Sequence, residues 1–203
     1  MMTNKGDRRR GTPGGSAQVE NLLRCAGLLL DLLLQQAQRA ASLADAAEAV
    51  RSLRDALDAL PPPQHAGIAA AAVPWALALL VPGGAQARCI EPTCDASSGA
   101  LAMRTALVAL LRTLSAGSAE TLRPYASPLM SALLAVMRDD VDTNAADAMQ
   151  LFADLCKAYR ALAEQHAPAY FDAILQLATA FPDIVRARLA PRPGKVAPEE
   201  VSL

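Results

Sequence analysis

Apolar side chains recur at steps of three and four residues over most of the chain between residues 16 and 189, and this spacing is the strongest constraint on the fold. Leu43, Ala46, Val50 and Leu53 are typical, because such residues share one face of an α-helix but fall on both faces of a β-strand. Composition agrees: 45 of the 203 residues are Ala and 31 are Leu, which rank highest in helix propensity. The sequence therefore predicts an all-α fold.

Seven segments carry this spacing, and proline and glycine residues separate them. We predict helices over about 16–39, 42–60, 64–80, 99–114, 122–138, 143–164 and 168–181. Pro61 should end the second helix and Pro182 the seventh, because a proline ring removes a backbone donor and collides with the preceding turn. Pro74 should kink or restart the third helix. Pro168 should open the seventh, since the first helical position needs no donor.

The predicted helices pair as antiparallel hairpins that begin near residues 16, 64, 122 and 168. Once the long internal loop over 82–98 is allowed for, this spacing approaches the roughly 40–47 residues of HEAT-type repeats. We therefore expect residues 16–189 to form a short HEAT/armadillo-like α-solenoid, with an ordinary helical bundle as the alternative. Residues 1–15 are predicted to be a disordered tail and residues 190–203 a linker or disordered tail.

Charge and motifs argue against several classes of function. The net charge of −1 gives no electrostatic reason to expect direct nucleic-acid binding. The most apolar run, 68–81, is shorter than the roughly 20 residues of a membrane-spanning helix. The sequence lacks a phosphate-binding glycine loop and the common metalloprotease and serine hydrolase motifs, so we expect no enzyme activity and no cofactor.

Metal binding is not expected either. Cys89 and Cys94 lie in the predicted loop over 82–98, and no second pair of ligands follows them. His65 and His166 are isolated in the sequence. A structural zinc ion needs four convergent ligands, and this pattern does not provide them.

The C-terminal half carries an ordered set of short motifs between Leu101 and Leu189. They are Leu122-Arg123-Pro124; Asp140 with Asn144; Leu155, Lys157, Tyr159 and Arg160; Tyr170-Phe171-Asp172 with Gln176; and Pro182 with Val185. In this order and spacing the stretch resembles the N-terminal helical repeats of the transformation/transcription domain-associated protein (TRRAP) family. Those proteins are very large pseudokinases related to the phosphatidylinositol 3-kinases. Before Leu101 only the helical rhythm agrees.

The resemblance implies a non-enzymatic scaffold in the nucleus. It implies membership of SAGA-like histone acetyltransferase complexes, with complex subunits and transcription activators as protein partners. This chain has room for only the first few repeats, so we expect a fragment, a truncated gene model or a degenerate copy. The alternatives are an unrelated HEAT-like adaptor in transport or kinase scaffolding, and a lipid-surface protein with a Leu-rich first helix. Glu20 and Asp31 on that helix disfavour the lipid surface, because interfacial helices usually carry polar faces rich in Lys and Arg.

The end of the last predicted helix is the expected interaction region. No further repeat follows to cover Ile184, Val185 and Leu189, so we expect them to be partly exposed. Exposed apolar surface at the end of a repeat array promotes self-association or capture of a partner. Phe152 and Leu155, in contrast, should be buried between the last three helices.

Overall fold

The computed structural model of the chain describes residues 14–80, 98–117, 119–139 and 143–189, with side chains from Glu20 to Pro182 apart from a few positions. Within these ranges the protein is helical and contains no strand, which confirms the predicted all-α class. The α-helices are α1 (Gly14–Arg39), α2 (Leu43–Asp58), α3 (His65–Leu80), α4 (Ser98–Gly117), α5 (Ala119–Leu122), α6 (Ala126–Asp139), α7 (Thr143–Ala158) and α8 (Arg160–Leu189). Short 3₁₀ turns, Pro62–Gln64 and Arg123–Tyr125, precede α3 and α6.

The start of α2 shows how local sequence sets a helix boundary. The Ser42 backbone is extended, and its hydroxyl oxygen accepts a hydrogen bond from the Asp45 N–H at 3.1 Å. The same hydroxyl donates to the Asp45 carboxylate at 2.7 Å. The first bond satisfies a backbone donor that the helix itself leaves unpaired, and the second holds the two side chains together, so α2 begins at this point.

The helices pack in a regular order. Successive contacts join α1 to α3, α3 to α6 and α6 to α8, and a second series joins α2 to α4 and α4 to α7. Contacts between the two series join α1 to α2, α3 to α4 and α6 to α7. Helices α1, α3, α6 and α8 therefore form one row, and α2, α4 and α7 form the other. Each hairpin contributes its first helix to one row and its second helix to the other.

The core lies between these two rows. Its largest fully buried side chains come from both rows and include Leu53, Leu107, Leu111, Met130 and Phe152. One core helix, α4, is long and apolar enough over Gly99–Gly117 to cross a membrane by length and composition alone. Most of its apolar side chains pack against α2, α3 and α7.

The prediction for the last two helices was wrong in its boundaries. α7 ends at Ala158, one non-helical residue follows at Tyr159, and α8 runs from Arg160 to Leu189. Neither Pro168 nor Pro182 breaks α8. Both prolines are exposed, so the carbonyl group that each one leaves unpaired faces the side of the helix open to water.

Other boundaries also differ from the prediction. Pro74 lies inside a continuous α3 and does not restart it. The helix expected near Leu122 is divided into α5, a 3₁₀ turn and α6, because Pro124 cannot donate its backbone nitrogen to the ladder. The predictions for the loop over 82–98 with Cys89 and Cys94, and for the two tails, concern residues outside the described ranges. The exceptions are Gly14, Gly15 and Ser98, which are helical.

The burial of Phe152 and Leu155 is confirmed, since each is 1% exposed. The Phe152 ring stacks on Tyr170 of α8, with ring centroids 4.5 Å apart and the planes 4° from parallel. Such a pair contributes packing energy beyond simple burial. Phe152 therefore joins α7 to α8.

Replacing Phe152 with Ala should lower the free energy of unfolding by about 3–5 kcal/mol, because it removes a buried aromatic ring and leaves a cavity. Urea denaturation followed by circular dichroism measures this loss. Phe171→Ala is the matched control: Phe171 is 67% exposed, and its removal should change the free energy by less than about 0.5 kcal/mol. Equal losses in the two variants would contradict the assigned packing.

Candidate functional site

His65 is a buried structural residue at the start of α3, where it contacts the end of α2. Its Nε2 lies 2.9 Å from the Leu57 carbonyl oxygen and 3.2 Å from that of Leu60. Both partners are acceptors, so Nε2 carries a proton and donates. The other nitrogen, Nδ1, is buried without a hydrogen-bond partner and faces Gly117 at the end of α4. His65 therefore fastens α2 to the start of α3, and the ring fits only because residue 117 has no side chain.

A shallow groove of about 430 Å³ lies beside this histidine. Its polar side chains are paired with each other and with a neighbour: Thr113 donates to Asp58 at 3.1 Å, and Arg112 lies 3.6 Å from Asp147. A catalytic site needs a nucleophile, a base and a stabilising group that converge on one point. Thr113, Asp58 and Arg112 form structural pairs in this groove.

His166 lies far along the chain from His65 and serves a different contact. Its Nε2 is 3.2 Å from the Ser127 hydroxyl oxygen, which connects α8 to α6. Among the residues with described side chains, no three His, Cys, Asp or Glu groups are close enough to hold a metal ion. The expectations of no metal and no catalysis remain predictions.

Four of the motif residues in the C-terminal region are buried in contacts between helices. Leu122, Asn144, Leu155 and Tyr159 are between 0% and 7% exposed. The Asn144 amide oxygen lies 2.8 Å from the Thr105 hydroxyl, which joins the first turn of α7 to α4. These four residues have structural roles.

Tyr159 forms the junction between α7 and α8. Its backbone N–H donates to the Leu155 carbonyl oxygen at 2.8 Å. Its own carbonyl oxygen accepts from the backbone N–H groups of Leu162 and Ala163 at 3.0 and 3.1 Å. Burial raises the pKa of its phenol, and negatively charged Glu120 adds to the increase. The junction therefore keeps hydrogen bonds to both helices while the chain changes direction.

Tyr170 is half-buried, and the remaining motif residues with described side chains are exposed. They are Arg123, Pro124, Lys157, Arg160, Phe171, Asp172, Gln176 and Pro182. Asp140 lies outside the described residues, and so do the side chains of Ile184, Val185 and Leu189, although the backbone of these three is helical. The expected exposure of the C-terminal apolar residues therefore remains a prediction.

The outward face of α8 carries a continuous row of apolar residues. Pro168, Phe171, Leu175, Ala178 and Pro182 are all exposed, and we call this row the α8 stripe. Phe171 and Leu175 are 67% and 64% exposed. Exposed apolar patches of this kind mark interaction sites on proteins. The α8 stripe is therefore one of two candidate functional surfaces.

A second exposed apolar row lies on α1. Leu22, Leu28, Leu29 and Leu32 are between 50% and 68% exposed, and Cys25 among them is also exposed. Neither surface was predicted from the sequence to be open over this length. The sequence of α1 did contain a signal for its open surface, because apolar residues lie on two faces of this one helix. Leu30 and Leu34 are buried on the side opposite the exposed row.

No protein-family model, curated protein sequence or solved structure matches the chain.

Replacing Gly117 with Ala should lower the free energy of unfolding by about 1–3 kcal/mol, because the new methyl group collides with the His65 ring. Gly27→Ala is the matched control. A methyl group on Gly27, inside α1, meets nothing within 4 Å, so helix propensity should raise stability there by about 0.5–1 kcal/mol. Chemical denaturation measures both changes. A stabilised Gly117→Ala protein would refute the close contact.

Replacing Lys157 with Ala should raise the pKa of Asp154 towards its ordinary value. The Lys157 ammonium donates to the Asp154 carboxylate at 2.8 Å, and together with Gln150 it lowers that pKa. Any stability from this pair is present at pH values above the ordinary carboxyl pKa and is lost as the pH falls through the lowered one. A nuclear magnetic resonance titration of the Asp154 carboxyl carbon measures the shift, and an unchanged midpoint in Lys157→Ala would contradict the assignment.

Proposed function

We propose that this chain is a non-enzymatic scaffold built as a short α-solenoid, and that its last helix binds a helix of a protein partner. The two-row order of the helices supports the solenoid. Each hairpin places one helix in each row, and each row continues from hairpin to hairpin. In solenoids, stacked repeats contact mainly their neighbours and present an extended surface to partners.

The α8 stripe is the observation that carries the proposal. Its residues recur at steps of three and four, so they form a straight seam along several turns of helix. An amphipathic helix that lies along such a seam can bury its own apolar face against it. The exposed Phe171 and Leu175 are the anchor residues, because large apolar side chains contribute most of the energy when they become buried.

Charge beside the stripe indicates the type of helix. Asp172 is exposed beside it, Glu164 is exposed about one turn before its first residue, and Arg160 is exposed about two turns before that residue. A partner helix with Lys or Arg beside its apolar face would complement these carboxylates, whereas an acidic helix would be repelled. The preferred partner is therefore a basic amphipathic helix.

The likeness to TRRAP suggests where such a partner would come from. The proposed setting is a nuclear, SAGA-like histone acetyltransferase complex, with complex subunits and transcription activators as the partner classes. The buried positions of Leu122, Asn144, Leu155 and Tyr159 are compatible with this likeness, since they have structural roles in the motif. The charge beside the α8 stripe favours a complex subunit over an acidic activator.

Replacing Phe171 with Ala should weaken binding of a partner helix at least about tenfold, because burying a phenylalanine contributes roughly 1.5–3 kcal/mol. Fluorescence anisotropy can compare two labelled model peptides with the same leucine face, one flanked by Lys and the other by Glu. The Lys peptide should bind more tightly. Leu101→Ala is the control, since Leu101 is 47% exposed on α4, outside both apolar rows.

Two results would count against the proposal. Binding of the Lys peptide that is unchanged in Phe171→Ala would remove the α8 stripe as the binding surface. The nuclear setting fails separately if the tagged chain, purified from nuclear extract, brings down no histone acetyltransferase activity. A Phe171→Glu, Leu175→Glu double variant should lose any activity that the parent chain brings down.

A further inference from the structure

α8 has no helix of its own in the second row among the described residues. The other three helices of its row each have one, since α1 packs on α2, α3 on α4 and α6 on α7. Short connections join α1 to α2 and α6 to α7, so the two helices of each of these pairs run antiparallel. The described part of the chain therefore leaves one second-row position open, next to α7 and α8.

The side of α7 that borders this position is apolar. Asn144 and Asp147 join α7 to α4. At about 100° of rotation per residue, Met149 and Ala153 lie on the opposite side of α7 from these two. Ala146 lies beside them and is exposed, whereas Met149 and Ala153 are half-buried. α7 therefore turns an apolar surface away from α4 and towards the open position.

The α8 stripe borders the same position. His166 of α8 contacts α6, and Tyr170 stacks on Phe152 of α7. Phe171 lies about 100° further around α8 in the same rotational sense. Its ring meets Tyr170 edge-on, with the ring centroids 6.1 Å apart. The α8 stripe therefore begins where the contact with α7 ends.

The two apolar surfaces lie at the same height. α8 returns alongside α7 from the junction at Tyr159, and the stack of Phe152 on Tyr170 sets their relative height. A step from Phe152 back to Ala146 therefore corresponds to a step from Tyr170 forward to about residue 176. Together the surfaces form a groove, which we call the α7–α8 groove. Its residues follow at steps of three and four on each side and are Ala146, Met149, Ala153, Phe171, Leu175 and Ala178.

Charges at one end of the α7–α8 groove indicate the direction of its occupant. Lys157 and Arg160 are exposed there, about three turns from Ala146 and Phe171 respectively and on the same side of their helices. Lys157 also pairs with Asp154. The C-terminal end of a helix carries a partial negative charge, which basic side chains stabilise. A helix antiparallel to α8 places its C-terminal end beside Lys157 and Arg160.

We propose that the partner helix lies in the α7–α8 groove, antiparallel to α8, and completes the last hairpin as a second-row helix. This inference rests on the function proposed for the α8 stripe and adds the α7 residues and the direction. Because the occupant touches two helices, its apolar face must be broad. Its Lys or Arg residues belong in the last turns, where Glu164 is exposed near them on α8.

A substitution on α7 tests the groove separately from the α8 stripe. Ala146→Arg should weaken binding of the Lys-flanked model peptide at least about tenfold, because arginine fills the groove and repels a basic helix. Ala71→Arg is the matched control. Ala71 is exposed on α3, outside the groove, so this variant should change affinity less than about twofold. Circular dichroism checks that both variants are folded, and fluorescence anisotropy measures binding.

Nuclear magnetic resonance tests the direction of the bound peptide. A nitroxide label at the C-terminal end of the peptide should broaden the amide signals of Lys157 and Arg160. The same label at the N-terminal end should broaden those of Ala146 and Ala178. The reverse pattern would show a helix parallel to α8 and overturn the proposed direction.

The variants separate this inference from the proposed function. If Phe171→Ala weakens binding and Ala146→Arg does not, the partner helix lies on α8 alone, and the groove is wrong while the proposed function stands. If neither variant weakens binding, both proposals fail. A parent chain that ignores the peptide but forms a dimer, lost in Ala146→Arg, would make a second copy the occupant and would also overturn the proposal.

Discussion

Burial of the α4 leucines is the interaction on which the rest of the architecture depends. Leu107, Leu110, Leu111 and Leu114 are fully buried, and α4 touches α2, α3 and α7. Contacts on three sides require a helix that is apolar around most of its circumference. The same requirement explains why α4 has the composition of a membrane-spanning segment although most of its apolar side chains are covered by other helices.

Polar contacts hold the ends of the helices around this apolar centre. His65 fastens the end of α2, Asn144 joins α7 to α4, and Tyr159 links α7 to α8. Buried polar groups are costly when unpaired, so each of these contacts strongly favours one relative position of its helices. Apolar packing alone would tolerate small shifts of one helix past another. The regular order of the two rows therefore depends on a few polar residues as well as on many leucines.

Features that depend on local apolar periodicity could be predicted from the sequence. Features that depend on contacts between residues far apart in the chain could not. Helix type, the burial of Phe152 and the division into hairpins follow from apolar spacing, which is a local property. The break at Tyr159 was not predicted, because the apolar pattern continues from α7 into α8 and the break depends on how α8 packs against α6. The contact between Gly117 and His65 joins residues far apart in the chain, and no local signal marks it.

The exposed apolar row on α1 and the α8 stripe could not be predicted as open surfaces from the sequence, for a related reason. Periodicity shows that a face is apolar, but the partner that covers it depends on the arrangement of all the helices. α1 and α8 lie at opposite ends of one row of helices, so each has one apolar face against the core and another left open.

Charge indicates what the open face of α8 can bind. Asp172 is exposed beside the α8 stripe, and Glu164 is exposed about one turn before its first residue. A basic helix from another protein would complement these acids, whereas an acidic helix would be repelled.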